Sequence, residues 1–181
     1  MQSSKTSQAF DGMLAYRCPR YDELPDLMLY RDQVMDELAR YTAPFFAGRD
    51  EPPITASMIN NYVKLRLIGP PVKKRYSREQ LARLYWICLL KQVASISELH
   101  SLFRIQAGSY PIGQAHDYFC TELEKALQAT FGSRDFSAPS SAQKVTPESE
   151  LVRSLAICFA NKMFALRFIQ AAQAKTPPSP T

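Results

Sequence analysis

The stretch that decides the fold is Ile54-Thr55-Ala56-Ser57-Met58-Ile59-Asn60-Asn61-Tyr62-Val63-Lys64. Thr55 can cap the free N–H groups of a helix, which should end before Gly69-Pro70-Pro71. A polar stripe at positions i, i+3, i+4 and i+7 is formed by Ser57, Asn60, Asn61 and Lys64. The residues that can turn toward a core are Met58, Ile59, Tyr62 and Leu65. This division favours a recognition helix with one face free for a partner.

A short basic arm follows this helix. Residues 72–76 combine Lys73, Lys74 and Arg75 with β-compatible neighbours, and Tyr76 closes the arm, which is expected to form an extended hairpin or wing. Ser77-Arg78-Glu79-Gln80 then has the arrangement of a capping box and opens another helix. The order of helix, arm and helix over residues 52–92 predicts a winged helix-turn-helix unit.

Positive charge is concentrated in the same region. Residues 54–91 hold eight basic residues against Glu79 alone, a formal net charge of +7. Since the whole chain carries +5, the remainder carries −2. A basic segment in an otherwise balanced chain is the pattern expected for a polyanionic partner, although a solvated surface can have the same composition.

The rest of the chain also reads as helical. A first helix is expected from Pro25 to Tyr41, and a second capping box begins at Ser95 and opens a helix toward Phe103. A further helix should cover residues 114–131. The fold class predicted is therefore all-α, mainly a helical bundle, with a small β wing.

The last helix is expected to be long. Thr146-Pro147-Glu148 supplies its cap, its first-turn proline and an acid for the helix dipole, and the helix should run toward Ala174. Residues 155–169 are apolar on most sides, so they need a protein surface to cover them. That surface can lie inside the monomer or across a dimer seam.

Four segments are expected along the chain. Residues 1–20 should form a flexible N-terminal segment, and residues 21–106 the winged helix-turn-helix domain. Residues 107–174 should form a C-terminal helical region for dimerisation or effector binding, with a loop at residues 133–145. Residues 175–181 should form a disordered tail.

These features predict a protein that binds double-stranded DNA as a homodimer. The major groove admits one helix, and the side-chain amides of Asn60 and Asn61 can bond adenine edges in pairs. Lys64 can bind a phosphate or a guanine, Ser57 can approach the backbone, and the arm would lie along neighbouring phosphates. The residues expected to contact DNA are Thr55, Ser57, Asn60, Asn61, Lys64, Lys73, Lys74, Arg75 and Tyr76.

The pattern closely resembles a known family. The runs that carry the resemblance are Leu29-Tyr30-Arg31-Asp32-Gln33, the stretch from Ile54 to Lys64, Pro71-Val72-Lys73-Lys74-Arg75-Tyr76-Ser77 and Leu90-Lys91-Gln92-Val93. Over residues 24–103 they are similar to the bacterial domain family 1836 of unknown function, also called YkrK-like.

A more distant resemblance concerns the order of helix, recognition helix, arm and helix, which is similar to the MerR regulators and implies a MerR-like winged helix-turn-helix. In that family the recognition helix has a threonine or isoleucine followed by arginine and paired tyrosines. Here Asn60-Asn61-Tyr62 stands in that place, and Gly69-Pro70-Pro71 precedes a shortened arm.

Catalysis, cofactors and metals are not expected. His100 and His116 are the only histidines, and His116-Asp117 is a lone dyad expected on a solvated helix surface. The six glycines are scattered, so no glycine-rich phosphate loop exists. The cysteines expected to be reduced and mostly buried are Cys18, Cys88, Cys120 and Cys158.

Two further expectations concern location and partners. The first residues lack the apolar core of a secretory signal, and no later apolar run goes long enough without charge to span a bilayer, so a cytoplasmic location is expected. The alternative to DNA binding is a protein-interaction module on the same fold. A small-molecule effector pocket can also be lined by aromatics of the C-terminal lobe, although aromatics at such spacings are usually core. These are Phe103, Tyr110, Tyr118, Phe119 and Phe131.

Overall fold

Helices form most of the chain that the structure describes, which is residues 10–173 of a computed structural model. In chain order they include α1 (Arg31–Phe46), α2 (Ala56–Lys64), α3 (Arg78–Leu90), α4 (Ile96–Ser109), α5 (Ile112–Gln128) and α6 (Pro147–Gln173). Two short strands, β1 (Leu29–Tyr30) and β2 (Arg75–Tyr76), pair antiparallel with Leu29 opposite Tyr76. The expected helical fold with a small β element is confirmed.

Local capping residues set where several helices begin. Ser77 Oγ accepts the Gln80 N–H at 3.3 Å while Gln80 Oε1 accepts the Ser77 N–H at 2.8 Å. Ser95 makes the same reciprocal pair with the residue three positions on. Thr55 Oγ1 accepts the Met58 N–H at 3.2 Å. Because each contact satisfies a donor that the helix itself leaves free, these three predicted starts are confirmed.

Helix α1 begins later than the sequence pattern predicted. The expected start at Pro25 is wrong, since the helix begins at Arg31 and Leu27 is 77% exposed. The reason is the pairing of β1 with β2, which holds the backbone of residues 29–30 in an extended conformation. A partner strand so far along the chain overrides local helix propensity.

Helix α3 is the centre of the core. The sequence predicted one buried stripe, but Ala82, Trp86 and Ile87 on its other sides are buried as well. The helix contacts α1, α5 and α6, so it is covered on all sides. A helix that is apolar all round is expected to occupy this position.

Part of the N-terminal segment belongs to the core. Residues 1–9 and 174–181 lie outside the described residues, but Met13 and Cys18 are each 2% exposed. The Tyr16 hydroxyl lies 2.8 Å from the Tyr85 hydroxyl and donates to the Tyr41 carbonyl oxygen at 2.8 Å. Residues 10–20 were expected to be flexible, and they instead cover α1 and α3.

The last helix, α6, packs mainly on α5, with Phe159, Ala160 and Met163 buried. Its far end carries two exposed large apolar side chains, Phe168 and Ile169. By length and composition α6 could cross a membrane, although no such run was expected from the sequence. One helix of this kind is weak evidence, because core helices of folded proteins pass the same test.

His116 corrects another expectation, since it is fully buried rather than on a solvated surface. Its Nε2 lies 2.9 Å from the Pro19 carbonyl oxygen, and its ring stacks on Trp86 with centroids 5.9 Å apart. The neighbouring Asp117 accepts the Tyr21 N–H at 2.8 Å. The pair therefore fixes residues 19–21 to α5.

Burial lowers the pKa of His116 below its ordinary value of 6.5, and a buried Nδ1 without a hydrogen-bond partner adds to the cost of protonation. The unfolded chain consequently binds a proton at higher pH than the folded protein does. We expect the free energy of unfolding to be complete above about pH 7 and to fall as pH drops through about 6.5. Urea midpoints measured from pH 5 to 8 should show this decline, and His116→Gln should flatten it; identical profiles would contradict the assignment.

Candidate nucleic-acid interface

Helix α2 has the two faces that its sequence indicates. Ser57, Asn60, Asn61 and Lys64 are all exposed, whereas Ile59 and Tyr62 are buried at 0% and 4% exposure. Two residues depart from the expected inner face. Met58 is half-buried, and Leu65 is 44% exposed because it lies at the C-cap.

Two long polar side chains of α3 and its C-cap hold the ends of α2 in place. Lys91 Nζ donates to the Pro53 carbonyl oxygen at 2.8 Å, before α2 begins. Gln80 Nε2 donates to the Gly69 carbonyl oxygen at 2.7 Å, after α2 has ended. The orientation of α2 is therefore fixed by the core helix, which leaves its polar face free.

The C-terminal end of α2 is closed by a Schellman arrangement. Arg66 N–H donates to the Val63 carbonyl oxygen at 3.0 Å, and Leu67 N–H donates to that of Tyr62 at 2.9 Å. Arg66 takes the left-handed position with φ of 58°. Glycine is the usual residue there, because a Cβ is strained at positive φ. The chain thus places a basic side chain where folding alone favours glycine.

The arm is a tight hairpin, which we name the basic hairpin (residues 72–76). Val72 N–H and Arg75 N–H each donate to the other residue's carbonyl oxygen at 2.9 Å, so two residues form the tip. These are Lys73 and Lys74, with φ of 49° and 64°. Positive φ at both central positions is the pattern of a type I′ turn, for which Asn-Gly is preferred. Both tip side chains are exposed.

Tyr76 does not have the role expected from the sequence. It is 3% exposed and faces the core from β2, so it is not available to a phosphate. Its neighbour Arg75 is exposed and lies over the ring of Tyr30, 5.3 Å from the centroid. Tyr30 itself is 52% exposed. No spacing in the sequence could reveal this stack, because the pairing of β1 with β2 creates it.

The eight basic residues of this region divide into two groups. Arg78 pairs with Asp22 and Asp26, Arg83 pairs with Glu79, and Lys91 caps a backbone carbonyl. The other five are all exposed, and within residues 10–173 none makes an ion pair. We name them the cation cluster: Lys64, Arg66, Lys73, Lys74 and Arg75. No acidic residue lies between the first and the last of them in the chain.

The remaining predicted site residue is Thr55, whose hydroxyl is occupied by the Met58 N–H and which is half-buried. Elsewhere in residues 10–173, no group of three His, Cys, Asp or Glu side chains could hold a metal ion. Cys18, Cys88 and Cys120 are buried and free, and Cys158 is free but exposed. Burial raises the pKa of the Cys88 thiol to about 12, so this thiol stays protonated.

The strained tip makes a prediction about stability. Replacing Lys73 and Lys74 by Asn and Gly suits a type I′ turn, so the variant should raise the free energy of unfolding by about 1–3 kcal/mol. Chemical denaturation of Lys73→Asn/Lys74→Gly against wild type measures this gain. Lys73→Ala/Lys74→Ala removes the same charges without relieving the backbone, and it should give no gain. Equal midpoints for all three proteins would show that the tip is not strained.

Comparison with known proteins found no match among curated proteins and none among solved structures. A family model, described as Domain of unknown function (DUF1836), matches residues 19–119. The match covers more than half of the 181 residues and includes β1, α2, the basic hairpin and α3. This chain therefore belongs to the DUF1836 family.

Proposed function

We propose that this protein is a cytoplasmic transcriptional regulator that binds double-stranded DNA through a MerR-like winged helix-turn-helix formed by α2 and the basic hairpin. The observation that carries the proposal is the cation cluster, five exposed basic side chains within twelve consecutive residues that have no acidic partner in residues 10–173. Phosphates are the partners that such a surface is suited to bind.

The two elements divide the work of recognition. Helix α2 enters the major groove, where the amides of Asn60 and Asn61 bond adenine edges and Lys64 contacts a phosphate or a guanine. The basic hairpin lies along the adjacent backbone, where Lys73, Lys74 and Arg75 bind phosphates. Sequence choice comes from the asparagines, and most of the salt-sensitive affinity comes from the cations.

Backbone strain supports the same assignment. Three members of the cation cluster, Arg66, Lys73 and Lys74, have positive φ, and each would be better replaced by glycine or asparagine for folding alone. Strained positions are concentrated at functional sites, where the side chain serves a purpose other than stability. Exposed cations at three such positions fit a phosphate-binding role.

The proposed regulator is a homodimer, as two-fold operators require of helix-turn-helix proteins. The exposed Phe168 and Ile169 near the end of α6 supply an apolar surface for this contact. Light scattering should give the mass of two chains for wild type and of one chain for Phe168→Glu/Ile169→Glu. A single-chain mass for wild type would remove the dimer from the proposal.

The proposal is tested by fluorescence anisotropy of a mixed-sequence duplex over a salt series. Five phosphate contacts predict that log K falls against log salt with a slope of about −4.5. The control is Arg104→Ala/Lys144→Ala/Lys162→Ala, which removes three exposed cations outside the cluster. It should bind like wild type. If wild type does not bind at low salt, or if the control loses binding in step with its net charge, the proposed interface is wrong and a protein-interaction module becomes the better reading.

A further inference from the structure

A cavity of about 510 Å³ opens between α4, α5 and the beginning of α6. Its walls are largely aliphatic, with Leu102, Ile105, Ala115, Leu151 and Val152 among them. The volume falls in the range of roughly 300–1,000 Å³ that is usual for small-molecule sites. An apolar cavity of this size is too large for water alone to satisfy.

Two buried polar atoms at the deep end have no hydrogen-bond partner. Gln106 Oε1 accepts no hydrogen bond, although Gln106 Nε2 donates to the Tyr110 carbonyl oxygen at 2.8 Å and so fixes the amide. Gln106 also lines a narrow recess of about 30 Å³, whose wall includes Trp86. The Trp86 indole N–H is buried and donates to nothing. One acceptor and one donor therefore lie unused around the same recess, at a cost that a bound polar group would remove.

The wall formed by the loop before α6 is held in place. Glu122 is 2% exposed, and its Oε1 accepts the Ser141 N–H at 2.7 Å and the Ser141 hydroxyl at 2.6 Å. The Tyr118 hydroxyl donates to the Ser149 carbonyl oxygen at 3.0 Å. These contacts join the loop and the start of α6 to α5, so the cavity exists before any ligand binds.

The aromatic residues expected to line an effector pocket divide between this cavity and the core. Tyr110 and Tyr118 line the cavity, and Phe119 lines the recess. Phe103 and Phe131 are buried in the core and reach neither space. The polar atoms that select a ligand, in Trp86 and Gln106, were not singled out from the sequence.

We infer that this cavity binds a small, uncharged, mainly apolar molecule that carries one hydroxyl or amide group. The apolar body fills the aliphatic cavity, and the polar group enters the recess, donating to Gln106 Oε1 and accepting from Trp86 Nε1. The recess is lined by no charged side chain, so a charged group there would remain uncompensated. The inference does not depend on DNA binding.

The test uses the full chain and 4-ethylphenol as the probe, with ethylbenzene as the matched compound that lacks the hydroxyl. Trp86 is the only tryptophan, so a single indole N–H signal in a ¹H–¹⁵N spectrum reports on the recess. The indole signal should shift and saturate with 4-ethylphenol. Ethylbenzene should bind about tenfold more weakly, in proportion to the loss of one hydrogen bond.

Two variants assign the shift to this cavity. Ala115→Phe fills it and should abolish the shift, while Ala107→Phe adds the same ring at an exposed position of α4 and should leave it intact. Gln106→Met keeps the volume but removes the acceptor, and it should weaken 4-ethylphenol about tenfold. If Ala115→Phe does not fold, Gln106→Met carries the test. No saturable shift in wild type, equal affinity for the two compounds, or full binding by Gln106→Met would each overturn the inference, whatever the DNA titration shows.

Discussion

Lys73→Ala/Lys74→Ala/Arg75→Ala should bind a mixed-sequence duplex about a thousandfold more weakly than wild type at about 0.05 M salt. Each lost phosphate contact removes about 0.9 from the slope of log K against log salt, so the slope should shrink from about −4.5 to about −1.8. The three side chains are exposed and make no ion pair within residues 10–173, so their removal breaks no contact that stabilises the fold.

The comparison with Arg104→Ala/Lys144→Ala/Lys162→Ala makes this result specific. Both variants lower the net charge by three, so long-range attraction of a basic protein to DNA falls equally in the two. Only the loss of local contacts differs between them. Equal weakening in both variants would mean that net charge, rather than the basic hairpin, drives binding. Lys73→Asn/Lys74→Gly extends the argument, since it should bind DNA more weakly while unfolding at higher denaturant concentration.

Asn60→Ala/Asn61→Ala should lose sequence discrimination while leaving the fold intact. Each bidentate amide-to-adenine contact is worth about 1–3 kcal/mol of discrimination, so preference for a selected site over mixed sequence should fall by at least roughly tenfold. Affinity for mixed sequence should stay within about threefold of wild type, because the phosphate contacts remain. Site selection from a random duplex library, followed by titration of the selected site, measures both quantities.

The neighbouring Ile59 supplies the structural counterpart. It is 0% exposed on the opposite face of α2, so Ile59→Ala should lower the free energy of unfolding by about 2–5 kcal/mol. The asparagine variant should instead be as stable as wild type or slightly more so, because alanine is the better helix former. If the double alanine variant selects the same sequence as wild type with the same preference, α2 is not the recognition helix.

Sequence alone was enough wherever the structure depends on neighbours in the chain. The starts of α2, α3 and α4 follow from Thr55, Ser77 and Ser95, whose side chains cap N–H groups within three residues. The two faces of α2 follow from helical spacing. The short basic arm was also predicted, since residues 72–76 close a turn on themselves.

Other features depend on residues far apart in sequence, and the sequence misplaced them. The start of α1 and the burial of Tyr76 both follow from the pairing of β1 with β2, in which Leu29 lies opposite Tyr76. Composition counted Arg78 and Arg83 among the free cations, whereas Asp22, Asp26 and Glu79 neutralise them.

Residues 19–119 are enough to place the chain in its family, and local spacing is enough to mark α2 and the basic hairpin as a surface for DNA. Tertiary structure alone decided which of eight cations remain free, and it brought Trp86 and Gln106 to one recess beside a cavity. The physical reason is range. Capping and helical periodicity act over three or four residues, whereas ion pairing, burial and cavity walls join segments whose separation leaves no periodic trace.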